Sequence, residues 1–302
     1  MAQLRFDERV AIVTGAGRGI GRGYALALAA RGARVVVVDY GVAIDGGGSS
    51  AAPAHDVVRE ITDNGGQALP FHASVVSEEA ASLIVAHAID TFGRLDVVIN
   101  NAGIHDPGPF ATLTAAQFRT MMDVSFFGTV FVTQAAWPHF VRAGYGRVVN
   151  TVSEAMLGGI PELTSYGAAK GAVFGLTRNL ATEGAGHGIK VNAVAPRAYT
   201  RLSATSTESL ASLYSMPREM IEQINASMPP DLCAPAALFL AHESCRLTGE
   251  VLQVGMGGVS RIAVVHTPGI SKDSLTAEDI AANLETILDI QEARVTQAAS
   301  IE

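Results

Sequence analysis

The stretch VAIVTGAGRGIGRGYALALAARGARVVVVD, residues 10–39, decides the fold. Residues 10–14 are wholly apolar up to Thr14, as expected of a strand buried on both faces. The chain then breaks into Gly15, Gly17, Gly19 and Gly21, with Arg18 and Ile20 between them. Good helix formers follow from Tyr24 to Arg31, and Gly32 stands where a helix C-terminus wants it. Residues 34–39 form a second apolar strand that ends on Asp39. Glycines let a backbone come close to a pyrophosphate, and a helix N-terminus offers it unpaired N–H groups and positive potential. An acid closing the second strand accepts hydrogen bonds from both ribose hydroxyls of an adenosine. The expectation is a dinucleotide site. The same carboxylate repels a 2′-phosphate, which favours NAD over NADP, although Arg18 could meet such a phosphate.

Working outward, the pattern repeats as strand and helix in alternation. Apolar runs at 68–71, 95–99, 147–152, 189–195 and 251–254 alternate with helical stretches at 55–64, 78–92, 114–141 and 165–184. Pro138 is expected to kink or end the third of these helices. Residues 255–258 read as a turn after the last strand. The fold class predicted is α/β, one doubly wound parallel sheet of Rossmann type. Its domain spans 1–258, with an irregular segment at about 200–230 in the position of a substrate lid. Residues 259–302 form an extension with a helix starting at Thr276, and not an independent domain.

A second constellation lies at Ser153, Tyr166 and Lys170. On a helix, Tyr166 and Lys170 are one turn apart on one face. An ammonium beside a phenol favours the phenolate, which makes the tyrosine useful as a proton donor and acceptor. Ser153, just past the end of an apolar run, could hydrogen-bond the same substrate oxygen.

Composition bounds the alternatives. Apolar residues are 48% and charged residues 17% of 302, which describes a globular chain with a large core. A net charge of −8 with no continuous basic face argues against a nucleic-acid partner. Two cysteines, Cys233 and Cys245, are too few for a disulfide framework or thiolate metal site and suit a cytoplasmic location. No signal-peptide pattern and no apolar run of membrane-spanning length is evident. The eight histidines lack metal-ligand spacing, so no metal is expected. His105, with His55, His72 and His187, reads as a surface or packing residue.

Taken together, Thr14-Gly15-x-x-x-Gly19-x-Gly21, Asn100-Asn101-Ala102-Gly103, Ser153 and Tyr166-x-x-x-Lys170 resemble the short-chain dehydrogenase/reductase superfamily, over residues 8–258. Within it, the segments 40–58, 195–201, 242–245 and 275–283 look like the (3R)-hydroxyacyl-CoA dehydrogenase part of peroxisomal multifunctional enzyme type 2 and its bacterial stand-alone relatives. The resemblance implies catalytic roles for Ser153, Tyr166 and Lys170. It implies cofactor contacts from Gly15, Gly17, Arg18, Gly19, Ile20, Gly21, Asp39, Ser74, Val75, Asn101, Ala102, Gly103, Tyr166, Lys170, Pro196 and Thr200. Two departures stand out. Ser125 occupies the place of an asparagine that holds a relay water, and Ser74 replaces an acid that pairs with adenine. Arg197 and Arg201 could reach a pyrophosphate or a CoA phosphate, or pair with a neighbouring acid.

The function expected is an NAD-dependent oxidoreductase interconverting a secondary alcohol and a ketone, on a 3-hydroxyacyl-CoA or steroid-type hydroxyl. An NADPH-dependent 3-oxoacyl carrier-protein reductase is the second reading, and a non-enzymatic dinucleotide sensor the third. Small residues at Gly167, Ala168, Gly171, Ala172 and Gly175 would let another helix approach closely, and the resemblance implies a homodimer or homotetramer.

Overall fold

Val10–Thr14 (β1) is buried along its whole length, and Arg34–Val38 (β2) beside it carries four consecutive valines. Branched side chains suit an extended backbone covered on both faces. In the computed structural model, which describes residues 3–43, 47–204 and 215–298, these two strands pair in parallel with Val10 opposite Arg34. Gln67–Phe71 (β3), Val97–Asn100 (β4), Gly146–Thr151 (β5), Ile189–Pro196 (β6) and Val251–Gly255 (β7) continue the parallel sheet. Gly258–Ile262 (β8) adds an antiparallel edge, giving the order β3-β2-β1-β4-β5-β6-β7-β8.

Side chains alternate across β1, and the two faces it serves are both filled. Ala11 and Val13 join a core with Tyr24 and Leu28 of Gly19–Ala29 (α1), Val57 and Ile61 of Ala52–Asp63 (α2), and Leu238 and Leu240 near residue 239. Val10 and Ile12 join the opposite core, with Ile84 and Val85 of Glu78–Phe92 (α3) and with Val132 and Phe140 farther on. Helices therefore cover both faces of a mostly parallel sheet, as the alternating pattern predicts. Local signals start and stop them. Ser77 accepts from the Ala80 N–H at 3.1 Å, and Gly93 ends α3 with φ 77°.

Two expectations need correction. The helical stretch from Thr114 is not broken at Pro138. It runs as Ala115–Met122 (α4), a wider π turn at Asp123–Phe127, and then Gly128–Ala143 (α5), which contains Pro138 in its interior. Pro138 is exposed, so the backbone group it frees faces water. The chain also does not end its sheet at β7. Met256 and Gly257, with φ of 53° and 76°, make a two-residue hairpin turn into β8. Methionine in that conformation gives no sequence signature.

Thr164–Gly184 (α6) carries Tyr166 and Lys170. Arg218–Ala226 (α7) and Ala234–Ala241 (α8) follow. Residues 205–214, the middle of the expected lid, lie outside the described residues, as do 44–46 and 299–302. Beyond β8, Val265–His266 (β9) and Arg294–Val295 (β10) form a small antiparallel ribbon. The helix expected at Thr276 is Ala277–Ala282 (α9), with Thr276 and Asp279 in a reciprocal capping box. The extension ties back to α6 where Arg178 Nη2 donates to the Thr296 carbonyl at 2.9 Å. Among the described residues no helix is long and apolar enough to cross a membrane.

Candidate active site

The strand order reverses at β1, whose neighbours β2 and β4 are followed by helices on opposite faces. Crossovers that part in this way leave a crevice at the carboxyl ends of the strands. A cavity of about 650 Å³ lies there. Its walls include Gly15, Arg18, Gly19, Ile20, Asp39, Ser74, Val75, Asn101, Ala102, Gly103 and Thr200, all expected from the sequence.

The glycines have distinct causes. A Cβ at Gly21 would stand 2.2 Å from the Gly15 carbonyl oxygen, and one at Gly15 would stand 2.8 Å from the Ala102 Cα. These two let the turn fold onto itself and onto the loop after β4. Asn101 completes that joint, its Nδ2 donating to the carbonyls of Thr14 and Gly15 at 3.1 Å each. The Thr14 hydroxyl accepts from the N–H groups of Asn101 and Ala102 at 3.0 and 3.1 Å. Gly19, with φ 54°, opens α1, whose N-terminus has no side-chain cap and no acid in its first turn. Uncapped N–H groups at a cavity wall fit an anionic group. Asp39 stands at the same wall. Its Oδ2 accepts from the Gly17 N–H at 2.7 Å and its Oδ1 from the Gly41 N–H at 2.6 Å. Two bonds fix the carboxylate and leave lone pairs for a diol. These residues fit a nicotinamide dinucleotide.

Gly17, Gly21, Ser125, Ser153, Tyr166, Lys170 and Pro196 are not among the cavity's lining residues. Gly17 lies behind Asp39, where a Cβ would meet the carboxyl group at 2.9 Å. Two of the candidate reaction groups, Lys170 and Ser125, approach the cavity at Gly103. A Cβ built on Gly103 would stand 3.8 Å from Lys170 Nζ and 3.9 Å from Ser125 Oγ. Tyr166 packs against the cluster of Ile104, Met121 and Ala169, and Ile104 is part of the cavity wall. Pro196 ends β6 opposite Val254.

The electrostatics differ from the sequence expectation. Burial raises the Tyr166 phenol above its ordinary range, and a hydrogen bond with Ser153 pulls it partly back. Lys170 is 3% exposed, donates to the Thr151 carbonyl at 2.7 Å, and is pushed down to about 8 by burial. Its Nζ stands 5.7 Å from the Tyr166 ring centroid. Burial and Ser153 thus govern the phenol, while the ammonium is committed to a carbonyl and is itself desolvated. Ser153 also caps the turn Glu154–Leu157, accepting from the Ala155 N–H at 3.2 Å. Ser125, 1% exposed in the π turn, donates to Met121 Sδ at 3.7 Å, while its carbonyl accepts from the Thr129 hydroxyl at 2.9 Å.

Arg197 forms a two-point ion pair with Glu154 at 2.7 and 2.5 Å. Arg201 does line the cavity, and both it and Arg18 donate to the Val42 carbonyl, at 2.8 and 3.3 Å. Sequence reasoning missed the wall formed by Ile104, Thr120, Asp123 and Val124. Three of these four positions depend on the π turn and its approach. Among the described residues no group of three His, Cys, Asp or Glu side chains is placed to hold a metal ion.

Residues 9–210 match the short chain dehydrogenase family, and the chain belongs to that family of oxidoreductases acting on CH–OH groups. A Mycobacterium tuberculosis protein named as a short-chain type dehydrogenase/reductase is 40% identical over 96% of this chain and 97% of its own. Peroxisomal multifunctional enzyme type 2 of Mus musculus is 38% identical over 97% of this chain, which spans only 38% of that enzyme. A solved 7α-hydroxysteroid dehydrogenase, complexed with NADH and 7-oxo glycochenodeoxycholic acid, superposes with a TM-score of 0.72 at 32% identity. It covers 85% of this chain and 98% of its own. The similar proteins therefore include those the sequence resemblance names.

Proposed function

We propose that the protein is an NAD-dependent dehydrogenase of a secondary alcohol, on a 3-hydroxyacyl-CoA or a steroid-type hydroxyl. The observation that carries this reading is the cavity itself. Asp39 stands on one wall, held by two N–H groups, and Gly103 brings Lys170 and Ser125 to another. Bound NAD supplies the hydride acceptor. Tyr166, packed among Ile104, Met121 and Ala169, exchanges the hydroxyl proton, and the positive nicotinamide of bound NAD would favour the phenolate that burial disfavours. Ser153, already bonded to the phenol, orients the substrate oxygen beside it. Lys170, fixed by the Thr151 carbonyl, holds positive charge next to the site while protonated. Gly15, Gly17, Gly19, Ile20, Gly21, Asn101 and Ala102 shape the dinucleotide bed, with Ser74 and Val75 at its adenine side, Thr200 on its wall and Pro196 at the end of β6 behind it. Asp39 favours NAD by repelling a 2′-phosphate.

The substrate class rests on the relatives. The multifunctional enzyme supports an acyl-CoA and the hydroxysteroid dehydrogenase a steroid-like alcohol. A second reading, an NADPH-dependent 3-oxoacyl carrier-protein reductase, draws on the two guanidiniums of Arg18 and Arg201 at one carbonyl beside Asp39. A homo-oligomer is supported by α6, where Gly171 and Gly175 have open space at the Cβ position. The domain reading of residues 1–258 with a lid near 200–230 remains part of this proposal. Following reduced-nicotinamide absorbance with NAD or NADP, against a 3-hydroxyacyl-CoA and a 17β-hydroxysteroid, tests it. Turnover with NAD and one of these alcohols is the expected result. Turnover confined to NADPH and 3-oxoacyl substrates would replace it with the second reading.

A further inference from the structure

The loop that leaves β4 turns back over Tyr166. Ile104 is 3% exposed in the cluster on which Tyr166 packs. His105, the next residue, is 8% exposed and meets the Tyr166 ring with centroids 5.4 Å apart and planes at 79°. That edge-to-face arrangement is the one aromatic quadrupoles favour. Two further bonds hold the loop in place. The Gly108 N–H donates to the Glu162 carbonyl at 2.9 Å, joining it to the segment before α6. Gln117 Nε2 donates to Asp106 Oδ2 at 2.9 Å, joining it to α4.

We propose that His105 is a positioning residue for Tyr166, gripping the phenol ring edge-to-face and shielding it so that its oxygen keeps one orientation and little water. The proposal rests on the reading of Tyr166 as the proton acceptor. Proton transfer is steep in distance and angle, so a phenol free to tilt is misaligned for part of each encounter. Among the described residues, the groups facing Tyr166 come from four places. Ser153 approaches from the turn after β5 and Lys170 from α6 itself. Met121 and Val124 come from α4 and the π turn, with Asp123 on the same cavity wall. From the loop come Ile104 and His105. Burial lowers the His105 imidazole below its ordinary range, and Asp106 pulls it partly back. The imidazole edge at this place covers one side of the phenol ring.

Ultraviolet titration of phenolate, taken as the difference between the wild type and Tyr166→Phe, isolates Tyr166 without any substrate. His105→Ala admits water to the phenol and is expected to move its midpoint down by about one pH unit. His105→Phe keeps an aromatic ring there and should leave the midpoint near the wild-type value. NADH affinity should stay within about twofold in both, which also reports correct folding. With an active alcohol, kcat is expected to fall roughly tenfold in His105→Ala and to recover in His105→Phe, with KM for NAD unchanged. An unmoved Tyr166 midpoint in His105→Ala, or equal losses in the Ala and Phe variants, would overturn the proposal. Full turnover by Tyr166→Phe would instead sink the proton-acceptor reading, while the titration shift would still report the contact.

Discussion

Lys170 carries an ammonium where water barely reaches, and the chain bears a cost for it. Burial sets its folded pKa at about 8 against an ordinary value of 10.5. Between those two pH values the unfolded chain binds the extra proton, so unfolding becomes harder as pH rises. The penalty present below about pH 8 is relieved by pH 10.5, a change of about 3 kcal/mol. Lys170→Met has no such group. Its stability advantage over the wild type, measured by urea unfolding, should shrink by that order between about pH 7 and about pH 10. A constant gap would mean that the ammonium is solvated in the native state. The phenol shows why single residues mislead when read from sequence. Tyr166 and Lys170 are correctly one turn apart, yet the lysine turns to the Thr151 carbonyl and the tyrosine is governed by burial and Ser153. Spacing along a helix fixes a shared face. It does not fix where a long side chain sends its charge.

At the scale of elements, α3 is the most locally specified helix near the site. Ser77 caps it, Glu78 and Glu79 favour its N-terminus, and Gly93 ends it in a left-handed turn. Ser77→Ala should cost about 1 kcal/mol in urea or thermal unfolding while leaving NADH binding unchanged. A loss of binding would mean that the cap also shapes the neighbouring loop of Ser74 and Val75. Elements of this kind were legible because periodicity and caps are local. So were β1, the glycine turn and β2 with Asp39, where each glycine answers a contact within the turn or with the Asn101 loop. The π turn at Asp123–Phe127 was not legible, since no residue in it forbids an α-helix. Its consequences were hidden with it: Ser125 placed near Lys170, and Asp123 and Val124 placed on the cavity wall. The edge strand β8 was missed for a related reason. Its side chains are mostly exposed, so it lacks the apolar run that marks the other strands.

At the scale of the molecule, the two halves of the site come from distant parts of the chain. In the proposed reading, the glycine turn and Asp39 within the first 39 residues begin the dinucleotide bed, the loops at 74–75 and 101–103 complete it, and residues 125–170 supply the proton-transfer groups. The sheet order brings them together because β4 and β5 follow β1 directly, and Asn101 ties the loop after β4 to the glycine turn. Gly103 is the place where the halves touch. If this account is right, binding of the dinucleotide and transfer of the proton are separable. Tyr166→Phe removes one oxygen at one end of the cavity and leaves Asp39, Gly19 and the α1 N-terminus untouched. Its NADH affinity should stay within about threefold of the wild type, while turnover of an alcohol that the wild type oxidises with NAD should fall roughly 10²- to 10⁴-fold. Unchanged turnover in Tyr166→Phe with NADH still bound would contradict the account.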